Sequence, residues 1–338
     1  MKKLLCIFCC AVLCLAFCSC EQNGGQPQNS SDTTTNSSSS QTDNSSQNST
    51  ESSQPQISEP SSDITSSDVT SSNDRQNESK PVNNDKVVIS SKFTVNDPNN
   101  LLGLSTARVG FSYGVASNGK PHSQSVRNQA TFDGFKNVEA LALDTKSTEK
   151  VMYLTFDNGY EYQNLTADIL DTLKEKNVKA AFFITMSYAK SNKDLVRRMI
   201  DEGHIVGNHS TTHPSFPNLT RTKMAEEIAQ LDTYLVENFS YSSPYFRFPS
   251  GEYSECALEL VTSIGFKSVF WSSAYADWDT STQKGEEYAY QTVTSRFHPG
   301  SVILLHAVSS DNAAALGRII DTAVSEGYTF KTLDDYFK

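Results

Sequence analysis

From residue 150 to the end of the chain, two kinds of apolar pattern alternate. Short runs that are almost wholly apolar, V-M-Y-L-T-F at 151–156, A-A-F-F-I-T at 180–185 and S-V-I-L-L at 301–305, are the first kind. In the second kind, apolar residues recur every three or four positions, as in Leu165, Ile169, Leu170 and Leu173, or Met224, Ile228, Leu231 and Leu235. The first pattern predicts strands buried on both faces, and the second predicts helices with one apolar stripe. Strands are expected at 151–156, 180–185, 204–207, 245–248, 267–271 and 301–305. Helices are expected from Leu165 and over 195–202, 221–238, 256–264 and 313–326, with Gly203, Gly265 and Gly327 as stops. Strict alternation of this kind predicts an α/β fold, with a parallel sheet covered by helices and closed as a barrel or doubly wound. In either architecture the residues that do chemistry lie at the C-terminal ends of the strands.

The N-terminal third has neither pattern. Lys2 and Lys3 precede an apolar run, to residue 17, that is short for a membrane span, which is the design of a secretion signal over 1–20. Six of the seven cysteines fall here, and F-C-S-C at 17–20 resembles a lipoprotein cleavage box with Cys20 as the lipidated residue. Residues 21–85 are almost all Ser, Thr, Asn, Gln, Asp and Glu, a composition that cannot offset its ordering entropy by burial. We expect a disordered tether there, with an r.m.s. span of roughly 45 Å. A lead-in arm is expected at 86–148, and the main domain at 149–338. With 28 basic against 39 acidic residues the net charge is −11, which disfavours nucleic acid and anionic lipid headgroups as partners.

The strand-end filter selects five polar clusters. Asp157 and Asn158 follow the first predicted strand, and His209 and His213 follow the third. Arg247 lies in R-F-P-S-G, Asp277 and Trp278 follow the strand at 267–271, and His306 follows the strand at 301–305. Each alone has a plain structural explanation, such as a turn, an ion pair or a core-edge histidine. Together they can perform hydrolysis. His209 and His213, four apart, would share a face on a helical turn and reach one divalent cation. Such a cation brings the pKa of a bound water to roughly 7, and an ionised Asp157 would take its proton. A protonated His306, favoured by Asp277, would serve as general acid to a leaving amine. Arg247 would hold Asp157 ionised.

The ordered set T-F-D-N at 155–158, H-S-T-T-H at 209–213, R-F-P-S-G at 247–251, D-W at 277–278 and L-L-H at 304–306 resembles the NodB-like polysaccharide deacetylases, the fourth carbohydrate esterase family. The resemblance implies a distorted (β/α) barrel, a divalent metal such as Zn or Co, Asp157 as base, and His306 as acid. It implies His209 and His213 as metal ligands, Arg247 orienting the base and Asp277 tuning the acid. Pro249, Gly251, Trp278 and Tyr160 become substrate-facing candidates. The usual third metal ligand, an aspartate, is Asn158 here, a neutral and weaker donor. The T-F-D-N-G-Y-E run, with A-D-W at 276–278 and L-L-H-A-V-S-S-D-N at 304–312, looks like the delta-lactam-biosynthetic de-N-acetylases. That subgroup acts on N-acetylmuramic acid in peptidoglycan of the spore cortex. The implied protein is a monomeric, extracytoplasmic peptidoglycan deacetylase that touches the membrane only through its N-terminus. An N-acetylglucosamine deacetylase is the alternative, and a non-catalytic wall-binding lipoprotein, motivated by Asn158 alone, is the lesser one.

Overall fold

The structure is a computed structural model and describes residues 85–338. The signal and lipidation site predicted at 1–20, and the predicted tether apart from Asp85, lie outside the described residues. Two small antiparallel pairs occur, β1 (Val87–Val88) with β2 (Thr94–Val95) and β3 (Val109–Gly110) with β9 (Glu252–Tyr253). The main sheet holds β4 (Ala140–Leu141), β5 (Val151–Asn158), β6 (Ala181–Ile184), β7 (Ile205–Asn208), β8 (Tyr245–Phe246), β10 (Lys267–Val269), β11 (Ser301–His306) and β12 (Thr329–Phe330). Its order is β11-β5-β6-β7-β8-β10-β4, with β12 also on β5, and every ladder in it is parallel. Among the described residues, the two ends of this path meet through single bridges, Leu143 to Ser301 and Ser273 to Ile303. This is the expected distorted barrel. Gly300 sits at that seam with φ +75°, and a Cβ there would lie 2.0 Å from the Asp144 carbonyl oxygen, so only glycine fits.

The helices are α1 (Ser123–Gly134), α2 (Leu165–Glu175), α3 (Met186–Ser191), α4 (Lys193–Asp201), α5 (Arg221–Phe239), α6 (Glu255–Ser263), α7 (Glu286–Thr294), α8 (Ser310–Ser325) and α9 (Leu333–Tyr336). Side chains on β5 alternate between two cores. Val151 and Tyr153 join Phe183, Ile205, Tyr245, Val269 and Val302 inside the curl, while Met152, Leu154 and Phe156 face the helices. Asp157 therefore continues the inner face and Asn158 the outer one.

Three differences from the sequence reading have physical causes. Strands β5 and β11 run on through Asp157, Asn158 and His306, which end the strands rather than follow them, because ladder pairing continues to Asp157 with His306 and Asn158 with Ile184. The predicted helical turn at 209–213 is a loop, with Ser210 and His213 at positive φ, 69° and 57°. Helices α1, α3 and α7 lie in stretches without a clear apolar stripe. Helix α1 docks partly through Gln129, which is fully buried. Its amide accepts from Ala142 N and Leu143 N and donates to Ala140 O. A polar anchor of this kind leaves no hydrophobic period to read. It holds β4 on the sheet edge, so the main sheet begins at Ala140, ahead of the predicted domain start at 149.

His204, just ahead of β7, is a structural group. Its Nδ1 accepts from Ala180 N at 3.2 Å, its ring meets Phe182 edge-on, and its Nε2 is buried without a hydrogen-bond partner. Burial, reinforced by Lys179, pushes its pKa down to about 4. The folded imidazole stays neutral where an unfolded one, with a pKa of about 6.5, would charge. Its contribution to stability is complete above about pH 6.5 and declines as pH falls from there toward 4, by ~3 kcal/mol at most. Urea unfolding of His204→Gln is expected to show a shallower loss of stability between pH 7 and 5 than the parent. An unchanged slope would remove His204 as its source.

Candidate active site

Strand ends converge at the C-terminal end of the sheet. Arg247, just past β8, crosses the inside of the curl and is fully buried. Its Nη1 donates to Asp157 Oδ1 at 2.8 Å, its Nη2 to Thr155 Oγ1 at 2.9 Å, and its Nε to the Val269 carbonyl at 3.0 Å. The guanidinium lies over the Phe183 ring, 4.2 Å from its centroid. Burial alone would raise the Asp157 pKa, but the Arg247 guanidinium, with His306 beyond it, outweighs burial and holds the carboxyl below its ordinary value. Asp157 is therefore an anion with one oxygen committed to Arg247 and the other, Oδ2, 3.6 Å from His209 Nε2.

His209 leaves β7 with its ring locked by a 2.8 Å hydrogen bond between Nδ1 and the Arg247 carbonyl. A carbonyl only accepts, so Nδ1 carries the proton and Nε2 keeps its lone pair. Burial brings the pKa of His209 down to about 4, despite the opposing charge of Asp157, so the ring is neutral at neutral pH. His213 approaches it edge-on, with ring centroids 4.9 Å apart. The loop between them is pinned by Glu227, which accepts from Thr211 N and Thr212 N at 3.0 and 2.8 Å.

Opposite this pair stands His306. Its Nδ1 bonds Asp277 Oδ1 at 2.7 Å, and its backbone N–H donates to Asp277 Oδ2 at 2.8 Å. Burial opposes the charged imidazole, but the hydrogen bond to Asp277 and the carboxylate charge outweigh it, and the pKa lies above the ordinary histidine value. Trp278 stands over the ring at 5.7 Å and is 57% exposed.

These groups line one cleft of about 630 Å³. Of the predicted residues, Asp157, His209, His213, Gly251, Trp278 and His306 form its wall, while Arg247 and Asp277 support it from behind. Pro249 is buried and opens the short turn that presents Ser250 and Gly251 to the cleft. Gly251 has φ +64°, and a Cβ there would come within 2.9 Å of Trp271. Tyr160 lies in an adjoining polar groove with Thr185, Ser187, Thr211 and Thr212, and His213 borders both spaces. Asn158 lines neither space. Its Nδ2 donates to Thr166 Oγ1 at 3.3 Å, and its Oδ1 is buried with no hydrogen-bond partner.

The sequence reading missed Tyr113, Trp271 and Tyr275 in the wall, and Thr155 behind it. Tyr113 comes from the lead-in arm and donates to the Ala274 carbonyl at 2.7 Å. No local signal marks it. Thr155 stood inside the quoted T-F-D-N run, and its burial beside Arg247 is what gives it a role.

Residues 144–269 match the polysaccharide deacetylase family. The chain is 42% identical over 189 residues to the peptidoglycan-N-acetylmuramic acid deacetylase PdaA of Bacillus subtilis, covering 55% of this chain and 71% of that protein. The chain belongs to the polysaccharide deacetylase family. As a polysaccharide deacetylase it is a hydrolase. It is also 30% identical to a peptidoglycan-N-acetylglucosamine deacetylase of Bacillus cereus, over 68% of this chain and 87% of that protein. The solved structure of Bacillus subtilis PdaA, a family 4 carbohydrate esterase, superposes with a TM-score of 0.65 at 36% identity, covering 69% of this chain and 97% of that one.

Polysaccharide deacetylases of this kind are generally dependent on a divalent metal. Among the described residues no three His, Cys, Asp or Glu side chains stand together as a metal cage. Asn158, predicted as the third ligand, is instead turned to the outer face of β5 against Thr166, because successive strand residues point to opposite faces, so the cleft side offers the bare Nε2 of His209 and the His213 ring as donors. Imidazole nitrogens suit a borderline divalent cation.

Proposed function

We propose that the protein removes the acetyl group from N-acetylmuramic acid residues of peptidoglycan by metal-assisted hydrolysis. The observation that carries this reading is the pairing of an anionic Asp157 with a raised-pKa His306 across one cleft, in a chain 42% identical to a muramic acid deacetylase. His209 and His213 would hold the cation, Zn or Co by preference, which would polarise the acetamide carbonyl and make water more acidic. Asp157, kept ionised by Arg247, accepts the proton of the attacking water on Oδ2. His306 gives the proton on Nε2 to the departing sugar nitrogen, while Asp277 holds the Nδ1 proton and the ring plane. Water and amide become acetate and a free amine. Gly251 and Trp278 face the sugar, with Pro249 shaping the turn, and Tyr160 meets the neighbouring part of the glycan from its groove.

Peptidoglycan deacetylase relatives act on the cell wall, and we place this protein outside the cytoplasm as a monomer. It would be anchored through Cys20, with 21–85 as its tether and 149–338 as its main domain, in a role tied to the spore wall. The test is acetate release from purified peptidoglycan with and without EDTA, followed by mass analysis of the muropeptides. We expect release that EDTA abolishes and added Zn or Co restores, with the acetyl group missing from muramic residues. Acetyl loss from glucosamine residues instead would establish the alternative substrate suggested by the Bacillus cereus relative. Release that survives complete metal removal would sink the mechanism.

A further inference from the structure

The run L-L-H-A-V-S-S-D-N carries His306 near its start, and its last three residues, Ser310, Asp311 and Asn312, open α8 just after the N-cap Ser309. The reaction described above makes no use of these four residues, yet three of them grip the loop that bears Asp277. Ser309 Oγ donates to Gln283 Oε1 at 2.7 Å, and Gln283 Nε2 donates to the carbonyls of Asp277 and Asp279 at 3.2 and 2.8 Å. Asp311 Oδ2 accepts from the backbone N–H groups of Lys284 and Gly285 at 2.6 and 2.7 Å. Asn312 reaches furthest. Its Nδ2 donates to Asp277 Oδ2 at 2.5 Å, and its Oδ1 accepts from the Tyr275 hydroxyl at 2.6 Å.

Asn312 is buried, and Tyr275 stands in the cleft wall. A carboxylate can only accept, so the amide must turn its NH₂ toward Asp277, and the Tyr275 hydroxyl then satisfies the oxygen left at the other end. That hydroxyl holds the amide oxygen in place and so steadies the NH₂ on Asp277. Asp277 Oδ2 is thus shared by the backbone N–H of His306 and by Asn312, while Oδ1 is reserved for the His306 ring. Three contacts define the carboxylate plane, and the carboxylate defines the plane of the imidazole.

We propose that Asn312, held in orientation by Tyr275, is a positioning residue that fixes Asp277 and through it the proton-donating ring of His306. The proposal rests on His306 being the general acid of the reading above. The charge-assisted bond from Asn312 is the strongest kind available to a neutral donor. Loss of an orienting partner one step removed from a reacting group costs on the order of 10–100-fold in activity.

The experiment uses the full chain with Asn312→Asp and Tyr275→Phe. Asn312→Asp keeps the shape but faces one carboxylate with another. It is expected to lower kcat by about 10–100-fold at neutral pH while KM stays within about threefold. Part of the loss should return as pH falls and the introduced carboxyl gains a proton to donate. Tyr275→Phe should lower kcat in the same direction by a smaller factor. The low-field proton resonance of His306 Nδ1–H, read by NMR, should shift in both variants while the melting temperature stays close to the parent's. An unshifted resonance, or a fall in kcat that merely follows a fall in melting temperature, would overturn the proposal. If the parent chain releases no acetate at all, the substrate reading has failed. The NMR shift in Asn312→Asp then decides the positioning role alone.

Discussion

Asp157→Asn is expected to lower acetate release by about 10²- to 10⁴-fold, the usual contribution of a positioned general base. The shape of the side chain is kept, so the loss reports the missing negative charge. The Oδ2 side of Asp157, next to His209 Nε2, is the acceptor the attacking water needs, and an amide cannot take up a proton there. Asp157→Ala should do more. Arg247 is fully buried, and among the described residues its Nη1 has Asp157 as its only carboxylate partner. Removing one member of a buried pair leaves an uncompensated charge and costs about 3–5 kcal/mol. Urea unfolding beside an acetate assay separates the two effects. An Asp157→Asn variant with near-parental activity would dismiss Asp157 as base. An Asp157→Ala variant of parental stability would mean that Arg247 finds another partner.

His306→Ala is expected to cost a similar 10²- to 10⁴-fold in kcat, and Asp277→Asn tells why. A general acid must carry its proton, so kcat falls as pH rises through the pKa of His306. That pKa is raised because Asp277 outweighs the opposing effect of burial. Neutralising Asp277 removes the raising term and leaves burial in place, so the pKa drops. The alkaline limb of the kcat profile should then move to lower pH by about 1–3 units, the range for a close opposite charge. The activity deficit of Asp277→Asn should be greater at pH 8 than at pH 6. A limb that stays where it was would break the link between the two side chains.

Much of this site was legible in the chain because parallel α/β folds gather function at strand ends. Once β5, β7, β8, β10 and β11 were recognised, Asp157, His209, Arg247, Asp277 and His306 followed from position alone. The boundaries were less accurate. Polar residues at 157, 158 and 306 suggested that the strands had ended, but the backbone ladder continues wherever a neighbour offers partners, whatever the side chain. The spacing of His209 and His213 suggested a helix, and a loop with two positive-φ residues brings the rings together instead.

Asn158 shows the limit most clearly. Its neighbour in sequence, Asp157, faces the inside of the curl, and the two-residue period of a strand sends Asn158 to the other side, against Thr166. That its amide oxygen is left without a hydrogen-bond partner is visible only when Thr166 and the surrounding helices are in place. Tyr113, Trp271 and Tyr275 carry no periodicity or motif, and they enter the wall because distant segments close over the strand ends.

By itself the sequence determined the alternation of strands and helices, the parallel sheet, and Asp157, His209, His213 and His306 as candidates for base, metal ligands and acid. Those follow from local periodicity and from residue chemistry. The tertiary structure decided the protonation states, the hydrogen-bond tautomer of His209, the orientation of Asn312 and the composition of the cleft wall. Each of these depends on burial and on groups far apart in the chain, such as Arg247 beside Asp157 and Asn312 beside Asp277, and no local pattern encodes which distant groups will meet.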